Sequence, residues 1–323
     1  MRALVTGGAG LIGSHLAEAL LAAGDEVTII DDLSTGRLEN LEQARRHPGF
    51  RAVIDSCANV ALMTELVAAC DVTFHLAAAV GVKLVVNSPI RAIETNVRLT
   101  EVVLALCSEH RKPVLVASTS EVYGKNERVP FREDADLMLG PTDQGRWSYA
   151  CSKALGEFLA LAYWKERGLP AVVVRLFNTA GPRQIDDHGM VVPTFVRQAL
   201  AGEDLTIYGD GSQSRCFTHV RDVVRALIDL MRSGRHFGQV FNVGNPHAIT
   251  IVELAQRVRE LTRSLSPLVF VPYEEAYGQG FEDTRCRVPE ISKIERAIDW
   301  RPTLGLDQIL ADVIAHESGR AVR

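Results

Sequence analysis

Tyr149 and Lys153 stand four residues apart in the run Tyr149-Ala150-Cys151-Ser152-Lys153. On a helix that spacing puts a phenol and an ammonium on one face, one turn apart. A free tyrosine titrates near ~10 and is a poor base at neutral pH. A lysine cation beside it, helped by a second positive charge, stabilises the phenolate. Bringing the pKa toward neutrality takes about 4 kcal/mol, within reach of two cations in a partly desolvated site. Such a base can take a proton from a sugar hydroxyl while hydride leaves the same carbon. Chance also places Tyr and Lys at this spacing on solvated helices, so the weight of the pair rests on what accompanies it.

The N-terminus supplies the strongest companion. Arg2-Ala3-Leu4-Val5-Thr6 reads as a short buried strand, running through Gly7-Gly8-Ala9-Gly10-Leu11-Ile12-Gly13 into a helical stretch that ends near Ala23. Gly7, Gly10 and Gly13 have the spacing of a dinucleotide-binding turn: a tight turn, a close approach of backbone to pyrophosphate, and close helix–strand packing. Leu11 and Ile12 open the helix, whose free N–H groups point at the phosphates. A second strand, Glu26–Ile30, ends in Asp31 and Asp32. An acid at that place, roughly 20 residues beyond the glycines, bonds the adenosine ribose hydroxyls and repels a 2′-phosphate, so the expected cofactor is NAD. Its nicotinamide provides the second positive charge that the phenol needs.

Bulk properties exclude other classes. With 323 residues the chain has room for one large or two modest domains. A net charge of −5 gives no basic footprint for nucleic acid or anionic membranes. No apolar run reaches the ~18 residues of a membrane helix, and a strand starting at residue 2 leaves no space for a signal peptide. The six cysteines are scattered without metal-ligand spacing, so no metal site is expected and a cytoplasmic location is. Cys151 is turned about 200° from Tyr149 on the helix and reads as a packing residue. His75, at a buried strand end, reads as a hydrogen-bonded core histidine.

Strand and helix signals alternate as a doubly wound sheet requires. Strands are expected at 51–55, 72–75, 114–117 and 171–175, with helices at 60–69, 89–110 and 147–167. Beyond Gly181 the alternation lapses into shorter pieces broken by Pro and Gly. The expected architecture is α/β: a Rossmann-type doubly wound parallel sheet over residues 1–180 for NAD, and a smaller mixed α/β substrate domain over 181–323. A strand near 238–244 is expected to return to the main sheet.

The strand at 114–117 leads into Ser118-Thr119-Ser120-Glu121-Val122-Tyr123-Gly124. A hydroxyl at a central strand end, facing the Tyr149 helix, can bond the reacting oxygen. With the glycine turn, Tyr149 and Lys153, the chain resembles the extended short-chain dehydrogenase/reductase family of nucleotide-sugar enzymes from residue 1 to about Leu310. The resemblance implies that Thr119, Tyr149 and Lys153 are catalytic. It also implies that Asp31 and Asp55 contact the adenosine and that Ala77-Ala78 lies along the cofactor. Leu11 replaces an aromatic common in this glycine loop, one apolar packing residue for another.

Within that family the Thr119-Ser120-Glu121 triplet resembles the UDP-glucuronate decarboxylases, which include UDP-xylose synthases and the decarboxylase domain of the lipid A aminoarabinose pathway enzyme. The 4,6-dehydratases carry two acids there, and galactose-type 4-epimerases carry none at the Glu121 place. Gly140-Pro141, Arg146-Trp147-Ser148-Tyr149, Arg215-Cys216-Phe217-Thr218, Tyr277-Gly278-x-Gly280 and Arg287-x-Pro289 extend the likeness. The resemblance implies that Arg287 holds the hexuronate carboxylate, that Glu121, with Ser120, orients the ring and manages the proton, and that Asn178 and Arg215 hold UDP. It implies decarboxylation of UDP-glucuronate through a 4-ketone to UDP-xylose or UDP-4-keto-pentose. UDP-glucuronate 4-epimerase is the alternative. A non-catalytic NAD-sensing regulator would tend to lack Tyr149 or Lys153, and both are present. Apolar residues such as Val97, Val102, Phe158 and Leu161 lie around the helices at 89–110 and 147–167, which related enzymes pair into a four-helix bundle, so a homodimer is expected.

Overall fold

The computed structural model describes residues 1–81, 85, 87–185, 190–277, 284 and 286–321. The main body runs β1 (Arg2–Thr6), α1 (Leu11–Ala22), β2 (Glu26–Asp31), β3 (Phe50–Ile54), α2 (Val60–Ala69), β4 (Val72–His75), α3 (Pro89–Glu109), β5 (Val114–Thr119), α4 (Trp147–Arg167) and β6 (Ala171–Leu176). Then come β7 (Thr179–Ala180), α5 (Val191–Ala201), β8 (Leu205–Tyr208), β9 (Ser214–Cys216), β10 (Thr218–His219), α6 (Val220–Ser233) and β11 (Gln239–Val243). The chain closes with β12 (Ala248–Thr250), α7 (Ile251–Thr262), β13 (Leu268–Val271), α8 (Tyr273–Tyr277), β14 (Cys286–Arg287), α9 (Ser292–Ile298) and α10 (Leu306–Ala321).

Successive strand residues point to opposite faces, and helices cover both faces of the inner strands, so β1, β4, β5 and β6 are buried along nearly all their length while the edge strand β3 is half-exposed. Ala3 and Val5 of β1 and Val172 and Val174 of β6 join Leu16 and Leu20 of α1 and Leu227 of α6 in one core. Leu4 and Val173, one residue out of phase, join Met63 of α2, Val103 of α3 and Ala160 of α4 in the other. Seven parallel strands form the sheet in the order β11-β6-β5-β4-β1-β2-β3. The expected doubly wound sheet is therefore present, and the direction of winding reverses between β1 and β4. Ligands of such sheets bind at the carboxyl ends of the strands beside that reversal.

Helix ends follow local chemistry. Gly168 and Gly202 end α4 and α5 in the left-handed conformation that glycine adopts most cheaply. Thr250 and Glu253 form a capping box at the start of α7. The pieces after β6 build small sheets, with β9 between antiparallel β12 and parallel β14, and β8 paired with β13. Phe195, Leu254 and Ile309, from α5, α7 and α10, share a third core.

Cys151 departs from its expected packing role. It is exposed, on the same outward stripe of α4 as Leu155 and Phe158. The 200° turn from Tyr149 does carry it away from the site, but it faces outward rather than into a core.

Candidate active site

A cleft of about 880 Å³ opens at the carboxyl ends of β1, β2, β4, β5 and β6. Its wall includes Gly7, Gly10, Leu11, Ile12, Gly13, Asp31, Asp32, Ala77, Thr119, Ser120, Glu121, Tyr149, Lys153, Asn178, Arg215 and Arg287. Asp55 stands outside that wall. Its carboxylate accepts the Ser56 N–H at 2.6 Å and the Asn59 side-chain N–H at 3.1 Å, while Ser56, Cys57 and Ala58 face the cleft. Gly278 and Gly280 of the Tyr277-Gly278-x-Gly280 segment lie outside the described residues.

The glycine turn is shaped for a ligand approaching the backbone. Gly7 has φ +70°, and a Cβ there would stand 2.8 Å from Ala77 N. A Cβ on Gly13 would strike Gly7 O and come within 2.7 Å of Gly8 Cα. Gly10 differs: its φ of −78° and ψ of 179° suit any residue, and a Cβ would meet nothing nearer than Gly7 O at 3.4 Å. The fold does not need glycine there, and the residue lines the cleft. Asp31 is fixed at the end of β2 by accepting the N–H groups of Ala9 at 2.9 Å and Leu33 at 2.8 Å. Asp32 accepts the Ser34 N–H at 2.9 Å. A glycine cradle with an acid beside it at a strand end fits NAD.

Thr119 closes β5; its Oγ1 accepts the Glu121 N–H at 3.2 Å, and its side chain stands close enough to the Tyr149 phenol to favour the phenolate. Tyr149 and Lys153 are both 7% exposed. Ser152, between them, donates to the Tyr149 carbonyl at 2.8 Å and receives Asn96 Nδ2 at 3.3 Å, which ties the start of α4 to α3. Burial raises the Tyr149 pKa above its ordinary value and Glu121 adds to this, while the Thr119 hydrogen bond and the Arg287 guanidinium oppose. Burial pushes Lys153 down to about 8, with Glu157 opposing. Among the protein's own groups, desolvation is the largest influence on both, disfavouring the phenolate and the ammonium alike. The expected lowering of the phenol counts on the nicotinamide charge as well as the lysine.

Glu121 reaches across the cleft to Arg287, with Oε1 accepting from Nη1 at 3.2 Å. Among the described residues, the buried Arg287 Nε has no hydrogen-bond partner. β14 lies parallel to β9 with Arg287 opposite Arg215, so two guanidinium groups stand on neighbouring strands. Arg215 donates to the carbonyls of Ser214 and Thr284, each at 2.8 Å. Asn178 Nδ2 donates to the Cys216 carbonyl at 3.4 Å.

The wall also holds cations given no site role from sequence: Arg91, Arg98, Arg146 and Arg197. Among the described residues of the wall, Lys153, Arg215 and Arg287 bring the cationic side chains to seven, against the carboxylates of Asp31, Asp32, Glu94 and Glu121, a balance that favours anionic ligands. Arg146, three residues before Tyr149, shares its helical face, a signal the sequence carried. Arg91, Glu94 and Arg98 also share one face of α3, but nothing in their spacing says that this face meets the cleft. His75 is 1% exposed and bonded through both ring nitrogens, Nδ1 to Thr6 Oγ1 at 2.9 Å and Nε2 to Thr100 Oγ1 at 3.2 Å. Among the described residues no group of side chains could hold a metal ion, and no helix is long and apolar enough to cross a membrane.

Residues 3–244 match the NAD dependent epimerase/dehydratase family. The chain is 43% identical over 314 residues to a UDP-N-acetyl-alpha-D-glucosaminuronate decarboxylase from Bacillus cytotoxicus, which covers 97% of this chain and 96% of that protein. It is 37% identical over 317 residues to UDP-glucuronic acid decarboxylase 1 of Danio rerio, which covers 98% of this chain and 72% of that protein. Among solved structures, it is similar to the UDP-glucuronic acid 4-epimerase of Bacillus cereus in complex with UDP-glucuronic acid and NAD. That likeness has a TM-score of 0.89 and 27% identity over 99% of this chain and 100% of the other.

Proposed function

The chain belongs to the NAD dependent epimerase/dehydratase family, and from that membership we propose that it is an NAD-dependent UDP-glucuronate decarboxylase. The observation that carries the reading is Arg287, a buried cation facing the Thr119–Tyr149 pair across the cleft and held there by Glu121 at 3.2 Å. A site that oxidises C4 of a sugar does not need that cation; a site that also holds a C6 carboxylate does.

NAD would be held by Gly7, Gly10, Leu11, Ile12 and Gly13 at the pyrophosphate, by Asp31 and Asp32 at the adenosine ribose, and by Ala77 along the cofactor. Bound there, it supplies the acceptor for the C4 hydride and a positive charge beside the phenol. Tyr149, as phenolate, takes the proton of the C4 hydroxyl; Lys153 stabilises the phenolate; Thr119 hydrogen-bonds the C4 oxygen as it becomes a carbonyl. The ketone is β to the C6 carboxylate, so the C5–C6 bond breaks, its electron pair passes into the C4 carbonyl as an enolate, and CO₂ leaves. Arg287 holds the carboxylate. Glu121 and Ser120 orient the ring and manage the proton that C5 then takes up. Asn178 and Arg215 hold UDP, the guanidinium at its pyrophosphate. The product is UDP-xylose where the hydride taken from C4 is returned to it and the Tyr149 phenol gives back its proton before release, and UDP-4-keto-pentose, leaving with NADH, where the hydride is not returned.

Residues 1–180, completed by the strand near 238–244, form the cofactor domain, and 181–323 the sugar-nucleotide domain. The chain is a homodimer through α3 and α4, which expose Ile90 at 72%, Ile93 at 40%, Leu155 at 50% and Phe158 at 67%. Apolar stripes of that kind on adjacent helices pair into a four-helix bundle. Its six cysteines are free thiols, which suits a cytoplasmic enzyme.

The similarity to the Bacillus cytotoxicus protein favours a second reading of the substrate alone, a hexuronate bearing an acetamido group at C2. The test is incubation of the protein and NAD⁺ with each UDP-hexuronate, followed by NMR and mass spectrometry. A product lighter by CO₂ supports decarboxylation and names the sugar. An isomer of unchanged mass makes the protein a 4-epimerase and ends the role given to Glu121.

A further inference from the structure

Tyr149, Lys153 and Glu157 follow one another at four-residue intervals on α4, and all three are buried. The first two face the cleft, and the mechanism above has no use for the third. Glu157 is 4% exposed, and a carboxylate so placed must be matched by charge and hydrogen bonds. Arg175 supplies a fork, with Nε at 3.0 and 3.1 Å from the two carboxylate oxygens and Nη2 at 2.7 Å from Oε2. Ser118 Oγ donates to Glu157 Oε1. Ser118 and Arg175 are register partners on β5 and β6, and Ser118 directly precedes Thr119.

We propose that Glu157, clamped by Ser118 and Arg175, is a positioning residue for C4 oxidation, setting the helix that carries Tyr149 and Lys153 against the strand end that carries Thr119. An apolar contact would hold α4 on the sheet equally well, but it would let the helix slide along the strand. A forked, charge-assisted pair fixes both direction and distance.

The same clamp reaches the other half of the site. The Arg175 guanidinium lies 4.7 Å from the centroid of the Tyr123 ring, in the turn that carries Ser120 and Glu121. Tyr123 OH donates to Asn242 Oδ1 at 2.7 Å, and Asn242 Nδ2 donates to the carbonyls of Phe131 at 2.8 Å and Glu290 at 3.2 Å. Glu290 lies three residues beyond Arg287. Thr119, Lys153, Glu121 and Arg287 are therefore each within four residues of one buried polar frame. Misplacement of reacting groups by about 1 Å costs on the order of 10²-fold in rate, so such a frame carries catalytic weight without touching substrate.

The proposal rests on the C4 oxidation in the function proposed above and not on CO₂ loss. Wild-type protein first identifies the UDP-sugar that it oxidises at C4, which judges the functional reading by itself. The variants are then compared on that sugar. Ser118→Ala leaves the Glu157–Arg175 pair intact. It should lower kcat about tenfold, leave KM for the sugar and for NAD within about twofold, and raise the isotope effect from deuterium at C4. Removing one charge alone endangers folding, so the second variant is the neutral double substitution Glu157→Gln with Arg175→Met. It should unfold near the wild-type temperature and still lose about 100-fold in kcat. Wild-type kcat in the refolded double variant would overturn the proposal, making the pair packing alone. So would losses in both variants that appear in KM with an unchanged isotope effect.

Discussion

Arg287 holds Glu121 at 3.2 Å, and a substrate carboxylate must compete with that partner for the same guanidinium. Charge-assisted hydrogen bonds of this kind contribute about 1.5–3 kcal/mol. Arg287→Met should therefore raise KM for the UDP-hexuronate by roughly 10- to 100-fold, lower kcat as well, and leave NAD affinity unchanged by calorimetry. A buried histidine makes a different prediction. Thr6 Oγ1 accepts the N–H groups of Leu76 and Ala77, and Thr100 Oγ1 donates to the Asn96 carbonyl, so His75 fits between them in its neutral form. Burial and then Lys153 push its pKa down to about 3; burial and then Arg183 push His15 down to about 4. Both folded values lie below that of an unfolded histidine, near ~6.5. Their contribution to stability is thus intact above that pH and is lost as pH falls below it, at up to about 1.4 kcal/mol per pH unit for each. Denaturation at a series of pH values from 7 to 5 should show this slope, and His75→Gln should flatten it. Residues with a local signature were legible at this scale. Gly7, Gly10 and Gly13 sit in one turn, and Tyr149 and Lys153 on one helix, so spacing alone places them. The Glu121–Arg287 pair spans 166 residues, and no local pattern predicts it.

Elements decide which glycines serve the fold and which serve the ligand. Gly10→Ala suits its backbone and meets no atom closer than 3.4 Å. It should fold at the wild-type temperature and weaken NAD binding by about tenfold or more, because its methyl group enters the cleft. Gly13→Ala collides with the backbone of Gly7 and Gly8. It should lower the melting temperature by several degrees, since overpacking costs about 1–3 kcal/mol. A thermal melt with and without NAD separates the two. Strand and helix positions in the main sheet were legible because both faces of its inner strands are buried and short turns separate the elements. Three things were not. Arg91 and Arg98 need the orientation of α3; Asp55 turns onto its own loop; and Cys151 shares a stripe with Leu155 and Phe158, whose apolar character reads from sequence as core.

That stripe belongs to the scale of the whole molecule. Gly156, on α4, brings the backbone so near α3 that a Cβ would stand 3.2 Å from Thr100 Cγ2, so the two helices form one tight slab with Phe158 and Ile90 on its outer side. Phe158→Arg should convert a dimer into a monomer by light scattering, with the fold retained because the side chain is 67% exposed. A protein that is a dimer with either residue would set this surface aside. The order of strands has a consequence of another kind. β6 is finished at Leu176, yet its outer neighbour β11 is not made until Gln239–Val243, after β7, three more strands and two helices. A ribosome therefore carries a nearly complete sheet with one bare hydrogen-bonding edge through the synthesis of more than sixty residues. Such an edge recruits any passing strand. Chains that stall or are cut between Leu176 and Val243 should be the ones that aggregate or require a chaperone, while those released after Val243 should not.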